Sequence, residues 1–98
     1  MDNELVYMVL ETVREIPIGK VVSYGQLASL CDRPKNARLM GKILGNSAYF
    51  GDYPCHRVVH SDGSLTSFWS EQKDLLLNEG VEFSKNNKVL MKLYRWHV

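Results

Sequence analysis

The chain has 98 residues, 45% hydrophobic and 23% charged, the composition of a globular protein with room for one modest core. Its net charge of +1 excludes little, because opposite charges can be segregated along a chain. No apolar run approaches the roughly 20 residues that a membrane crossing needs, and the amphipathic, acidic opening MDNELVYMVLETVREI does not read as a signal peptide.

Leu5, Val6, Val9, Leu10, Val13 and Ile16 recur at spacings near three and four, predicting an amphipathic helix over 3–16 that Pro17 and Gly19 stop. Ser23 followed by Gln26 is a capping-box pattern and opens a second helix, about 24–31, with Leu27, Ala28 and Leu30 inward. Asp32-Arg33-Pro34 breaks that helix. Pro34 suits the first turn of a third, about 35–44, which ends at Gly45-Asn46. Two short helices joined by a tight turn are the pattern of a helix-turn-helix. Val58-Val59 predict a short strand, and the turn Ser61-Asp62-Gly63-Ser64 followed by Leu65 makes it one arm of a small hairpin, or wing. A last helix is expected over 70–78, closed by Gly80, and then a strand-turn-strand or extended tail through 81–83 and 89–93. The expected fold class is mainly α: one winged helix-turn-helix domain over 1–98 with a small β-hairpin wing.

Charge along the second helix of the pair is one-sided. Between Arg33 and Gly51 the charged residues are Arg33, Lys35, Arg38 and Lys42, without one Asp or Glu. Such a face suits phosphate contacts. On charge alone a solvated basic face is an equal reading, and the helix-turn-helix pattern favours DNA.

The two cysteines, Cys31 and Cys55, make a poor disulfide framework and read as free thiols in a reducing, cytoplasmic setting. Cys55 lies in DYPCHRVVHSDG, directly before His56. A thiol with the usual pKa of about 8.5 is a weak nucleophile until a base, itself held by a third group, takes its proton. Adjacency in sequence is not contact, so the pair taken alone also fits a structural cysteine. Cys31, Cys55, His56 and His60 match no common zinc ligand spacing, and neither a metal nor a cofactor is expected.

The wider string "PCHRVV" resembles the active-site motif of the alkylguanine-DNA alkyltransferases. "GKVVSYGQLA" (19–28) is similar to that family's entry into its helix-turn-helix, "ARLMGKILGN" (37–46) to its recognition helix, and "LLNEG" (76–80) to its last catalytic segment. The resemblance implies a protein that binds O6-alkylguanine in double-stranded DNA by rotating the nucleotide out of the stack. It implies that Cys55 takes the alkyl group, that His56 acts as base through a water, and that Glu79 holds the other nitrogen of His56. Asn46 would brace the loop before the motif. Tyr24 would crowd the phosphate beside the lesion, Arg38 would fill the gap left in the stack, and Ala37 and Gly41 would let the helix approach the minor groove. Lys35, Lys42 and Arg57 complete the expected DNA-binding set.

The resemblance departs over GSLTSFWSEQKDLLL, where alkyltransferases usually carry a Gly-Tyr-Ser-Gly-Gly-like string that closes the pocket; Ser67, Phe68 and Ser70 are the nearest replacements. The end, VLMKLYRW, is similar to the tail of the alkyltransferase-like proteins, which bind the lesion without repairing it and direct nucleotide excision repair. Two readings stay open: lesion binding with single-turnover transfer to Cys55, and a non-enzymatic lesion sensor. A sequence-specific regulator with a structural cysteine is a third. The expected assembly is a monomer on DNA, with no membrane and with excision-repair proteins as candidate partners.

Overall fold

The computed structural model describes residues 3–67 and 69–97. The elements are helix α1 (Asn3–Arg14), strand β1 (Val22–Ser23), helices α2 (Tyr24–Leu30) and α3 (Ala37–Gly45), strand β2 (Val58–Val59), and helices α4 (Glu71–Asn78) and α5 (Met91–Tyr94). None of the described helices is long and apolar enough to cross a membrane.

The helical stripe of α1 buries Val6, Val9, Leu10 and Val13 as the spacing predicts. They pack with Leu27 and Ala28 of α2 and with Met40, Ile43 and Leu44 of α3. Asp32 turns the chain between α2 and α3 by taking a left-handed conformation, φ 59°, which Asp tolerates better than most residues. The α2–α3 pair is the helix-turn-helix. Helix α3 starts at Ala37, two residues later than expected, which leaves Lys35 in the turn. At α2 half of the capping box forms. Ser23 Oγ accepts the Gln26 N–H at 3.0 Å, while the Gln26 side chain turns away and donates to the Trp96 carbonyl at 2.6 Å.

β1 and β2 pair in parallel, Val22 with Val58 and Ser23 with Val59. Successive strand residues face opposite sides, so this short ladder divides the interior. Val22 and Val58 join the helix-turn-helix core, whereas Val21 and Val59 join a smaller cluster with Leu76, Val81 and Val89.

The structure corrects two expectations here. The partner of Val58-Val59 is β1, not a return strand at Leu65. The turn is present, with His60 N–H donating to the Ser64 carbonyl at 3.0 Å, yet the Thr66 amide goes to the Gln72 side chain at 2.9 Å instead of a strand. Among the described residues the tail makes one antiparallel bridge, Phe83 to Val89, and residues 91–94 are helical, not extended.

Gly63 secures the 60–64 turn to the tail. Its φ is +89°, and a Cβ built there would lie 2.4 Å from the Val89 carbonyl oxygen. Gly63→Ala therefore combines left-handed strain with a backbone clash and should cost about 2 kcal/mol. The expected reading is a thermal midpoint lower by roughly 10 °C; an unchanged midpoint would mean that the turn can lift off Val89 freely.

Candidate functional site

Pro54 shapes the turn that carries the thiol. Its φ of −78° is within the range that the ring imposes, its ψ is 59°, and the Cys55 N–H donates to the Tyr53 carbonyl at 2.8 Å. This is an inverse γ-turn. Arg57 N–H then donates to the Pro54 carbonyl at 3.1 Å, closing a 3-10 turn over Cys55–Arg57 before the chain straightens into β2. Cys55 is half-buried at the start of that turn.

Behind it, His56, Arg57 and Glu79 converge with side chains 13%, 12% and 14% exposed. Glu79 caps the end of α4. Its Oε2 accepts from His56 Nε2 at 2.5 Å and from Arg57 Nη2 at 2.9 Å; its Oε1 accepts from Arg57 Nε at 3.0 Å and from the Gly19 N–H at 3.2 Å. Burial is the largest single influence on this carboxyl and opposes its ionisation. The hydrogen bonds from Arg57, His56 and Gly19 together outweigh it and hold the pKa down to about 2. An ionised carboxylate only accepts hydrogen bonds, so Nε2 of His56 carries a proton, and in a neutral ring Nδ1 is then the acceptor.

Burial pushes the Cys55 pKa up; a hydrogen bond with the Ser47 hydroxyl opposes that and the charge of Asp52 adds to it. A cavity of about 420 Å³ lined by Asp52, Tyr53, Pro54, His56, Trp69 and Leu75 opens against the residues flanking Cys55. Cys31 is different: it is 3% exposed, its Sγ lies 3.8 Å from Thr12 Oγ1, and it belongs to the core.

On the outer face of α3, Arg38, Gly41 and Lys42 are exposed and Ala37 is half-buried; Lys35 is exposed just before the helix. A cleft of about 330 Å³ lies between this face and Tyr24, His60 and Thr66. The Tyr24 hydroxyl is 2.7 Å from Thr66 Oγ1, and its ring centroid is 5.2 Å from that of His60 at a 46° tilt. A Cβ on Gly41 would meet Tyr24 Cε1 at 4.0 Å, an ordinary contact, so the space here would also admit an alanine.

Two predicted site residues stand elsewhere. Arg57, expected at DNA, points inward: besides Glu79, its Nη1 donates to the Ile16 carbonyl at 2.9 Å. Asn46, expected to brace the loop before the motif, caps α3, and its Nδ2 donates back to the Lys42 carbonyl at 3.1 Å. Tyr24, Ala37, Arg38 and Gly41 do come together, as do His56 and Glu79. Phe68 lies outside the described residues.

Sequence reasoning passed over Gln72, Thr66, His60 and Ser47. Gln72 had a signal: it lies one turn before the inward Leu76, and a glutamine on an apolar stripe has to find partners inside. Among the described residues no group of His, Cys, Asp and Glu is placed to hold a metal ion.

A thiol on a proline-initiated turn beside a cationic helix-turn-helix sets this chain in the class of helix-turn-helix proteins that present a cysteine. Residues 4–81 match the 6-O-methylguanine DNA methyltransferase, DNA binding domain. Over 99 residues, 98% of each chain, it is 35% identical to the DNA base-flipping protein of Vibrio parahaemolyticus. It is 34% identical over 92 residues to the DNA base-flipping protein of Escherichia coli K12, covering 91% of this chain and 71% of that one. The methylated-DNA--protein-cysteine methyltransferase of Shigella flexneri is 42% identical over 60 residues, which is 61% of this chain but only 35% of that protein. S. pombe Atl1, solved in complex with damaged DNA containing O6-carboxymethylguanine, has a TM-score of 0.86 at 30% identity, covering 100% of this chain and 99% of that one. Mycobacterium tuberculosis OGT in complex with DNA has a TM-score of 0.70 at 27% identity, over 82% of this chain and 51% of that one. The chain belongs to the 6-O-methylguanine DNA methyltransferase family, through its DNA-binding domain.

Proposed function

We propose that this protein binds O6-alkylguanine in double-stranded DNA by base flipping and transfers the alkyl group once, irreversibly, to Cys55. The observation that carries the reading is the 2.5 Å contact between His56 Nε2 and Glu79 beside a retained cysteine. It leaves Nδ1 of His56 as the free basic site. Phosphates meet Arg38, Lys42 and Lys35. Arg38 fills the vacated stack, and Tyr24 turns the nucleotide from across the cleft. Flipping costs a few kcal/mol and is needed because the reacting oxygen is engaged inside the duplex.

The thiol proton passes through a water to His56 Nδ1, and the thiolate sulfur forms a bond to the alkyl carbon. The carbon–oxygen bond to guanine breaks, its electron pair stays on the base, and the imidazolium returns the proton to it. Unmodified guanine leaves, and the protein keeps the alkyl group as a thioether. Glu79 holds the imidazole in the tautomer that this needs and stabilises its charged form. Arg57 serves Glu79 instead of DNA.

A second reading, a lesion sensor that hands damage to excision-repair proteins, has support in the base-flipping relatives. Under either reading the protein acts as a monomer in the cytoplasm, a setting its two free thiols suit. Intact mass spectrometry separates the readings. After incubation with a duplex carrying O6-methylguanine, the protein should gain one methyl group, and Cys55→Ala should gain none while still binding the lesion. Tight lesion binding without a mass change would leave the sensor; equal affinity for lesion and plain duplex would end both.

A further inference from the structure

Gln72 is 0% exposed, and both ends of its side chain are in use. Its Nε2 donates to the His56 carbonyl at 3.2 Å and to the Val58 carbonyl at 3.0 Å, across the 3-10 turn that carries Cys55. Its Oε1 accepts the Thr66 N–H at 2.9 Å. Thr66 Oγ1 in turn lies 2.7 Å from the Tyr24 hydroxyl. One buried amide thus connects the thiol turn to the cleft tyrosine through four hydrogen bonds.

We infer that Gln72 is a positioning residue that fixes Tyr24 and the Cys55 turn relative to each other; the inference rests on the base-flipping reading above. The stretch at 64–67 explains why such a tie is needed. It is irregular chain with no strand partner among the described residues, and the Gln72 amide replaces the missing ladder at Thr66. An apolar side chain in its place would leave the Thr66 N–H and two turn carbonyls without these partners, in a region where unmet polar groups are costly. The turn and the tyrosine would then settle independently. A nucleotide pushed by Tyr24 arrives at the thiol only if the distance between them is held, so the loss should appear in lesion recognition and not in plain DNA affinity.

The test uses Gln72→Met, Thr66→Val and the double variant, titrated against duplexes with O6-methylguanine or guanine. Each single change should lower the lesion-to-plain affinity ratio about fivefold, with plain-duplex affinity held within about twofold. The double variant should be no worse than Gln72→Met alone, because both changes cut one chain of bonds. Additive losses, or equal losses on both duplexes, would overturn the inference and leave Gln72 as ordinary core. Tyr24 ring resonances in the free protein judge the tie without any DNA. They should shift in Gln72→Met although the two side chains are linked only by way of Thr66; unchanged resonances overturn the tie even if the lesion is bound. Should Gln72→Met fail to fold, Thr66→Val cuts the tie at its surface end and keeps the core amide, so its affinity ratio decides. A wild-type protein that does not distinguish the duplexes would instead defeat the base-flipping reading, a separate outcome.

Discussion

Glu79→Gln should destabilise the protein by about 3–5 kcal/mol, the range for removing one partner of a buried ion pair. The substitution keeps the shape and removes the charge, so the Arg57 guanidinium stays buried at 12% exposure without its counter-ion. The new amide group also points donors at donors, because Arg57, His56 and Gly19 all give hydrogen bonds to this position. Against a total stability on the order of 5–15 kcal/mol, such a loss is large enough to bring the variant near unfolding. Denaturant titration reads it directly, and a change under about 1 kcal/mol would show that the pair is solvated and carries little.

The same residue sets an acid limit. The ordinary value for this carboxyl is 4.5 and the folded value is about 2, so the folded form binds its proton less readily. Its contribution is therefore complete above about 4.5, declines below that, and is gone by about 2. The wild type should lose stability across this window, and Glu79→Gln should have a flatter profile there.

Arg38→Ala should weaken binding to O6-methylguanine duplex by about 10- to 100-fold while costing plain duplex only a few-fold. The larger figure corresponds to about 1.5–3 kcal/mol, the usual worth of hydrogen bonds made by a charged group. The smaller one is the loss of a single phosphate neutralisation among several. Arg38 is exposed at the rim of the cleft that holds Tyr24 and Gly41, one helical turn from Lys42, so it can enter the duplex where the nucleotide leaves. Lys42→Ala is the control: it should lower both affinities alike and reduce the salt dependence. Equal losses on the two duplexes for Arg38→Ala would reduce that arginine to another phosphate contact.

The helices were legible because their periodicity is local. The stripe of α1 and the Ser23 cap depend on residues three or four apart, and both appear where the pattern puts them. The cationic face of α3 was equally open to reading, since helical spacing alone places Arg38 and Lys42 on one side. The resemblance to the alkyltransferases brought His56 to Glu79, two residues that no local pattern would join. What stayed hidden depends on long-range pairing. Val58-Val59 are apolar on both faces, which fits a strand buried between two clusters, but nothing near them in sequence names Val22-Ser23 as the partner. Arg57 reads as a DNA contact from its charge, and only the arrival of α4 turns it toward Glu79. Asn46 follows its local role in closing α3, and its carbonyl also accepts the Tyr49 N–H of the loop that follows.

The tail has a consequence for synthesis. Val21 donates to the Tyr94 carbonyl and accepts from the Trp96 N–H, so the chain leading into β1 is covered by residues made long after it, while β1 itself waits for β2. On the ribosome, the helix-turn-helix can gather as soon as α3 emerges, but the chain leading into β1 stays open until Trp96 has cleared the exit tunnel. A nascent chain paused before that point exposes unpaired backbone to its neighbours. Fusions placed close behind Trp96 would burden the step that closes the molecule.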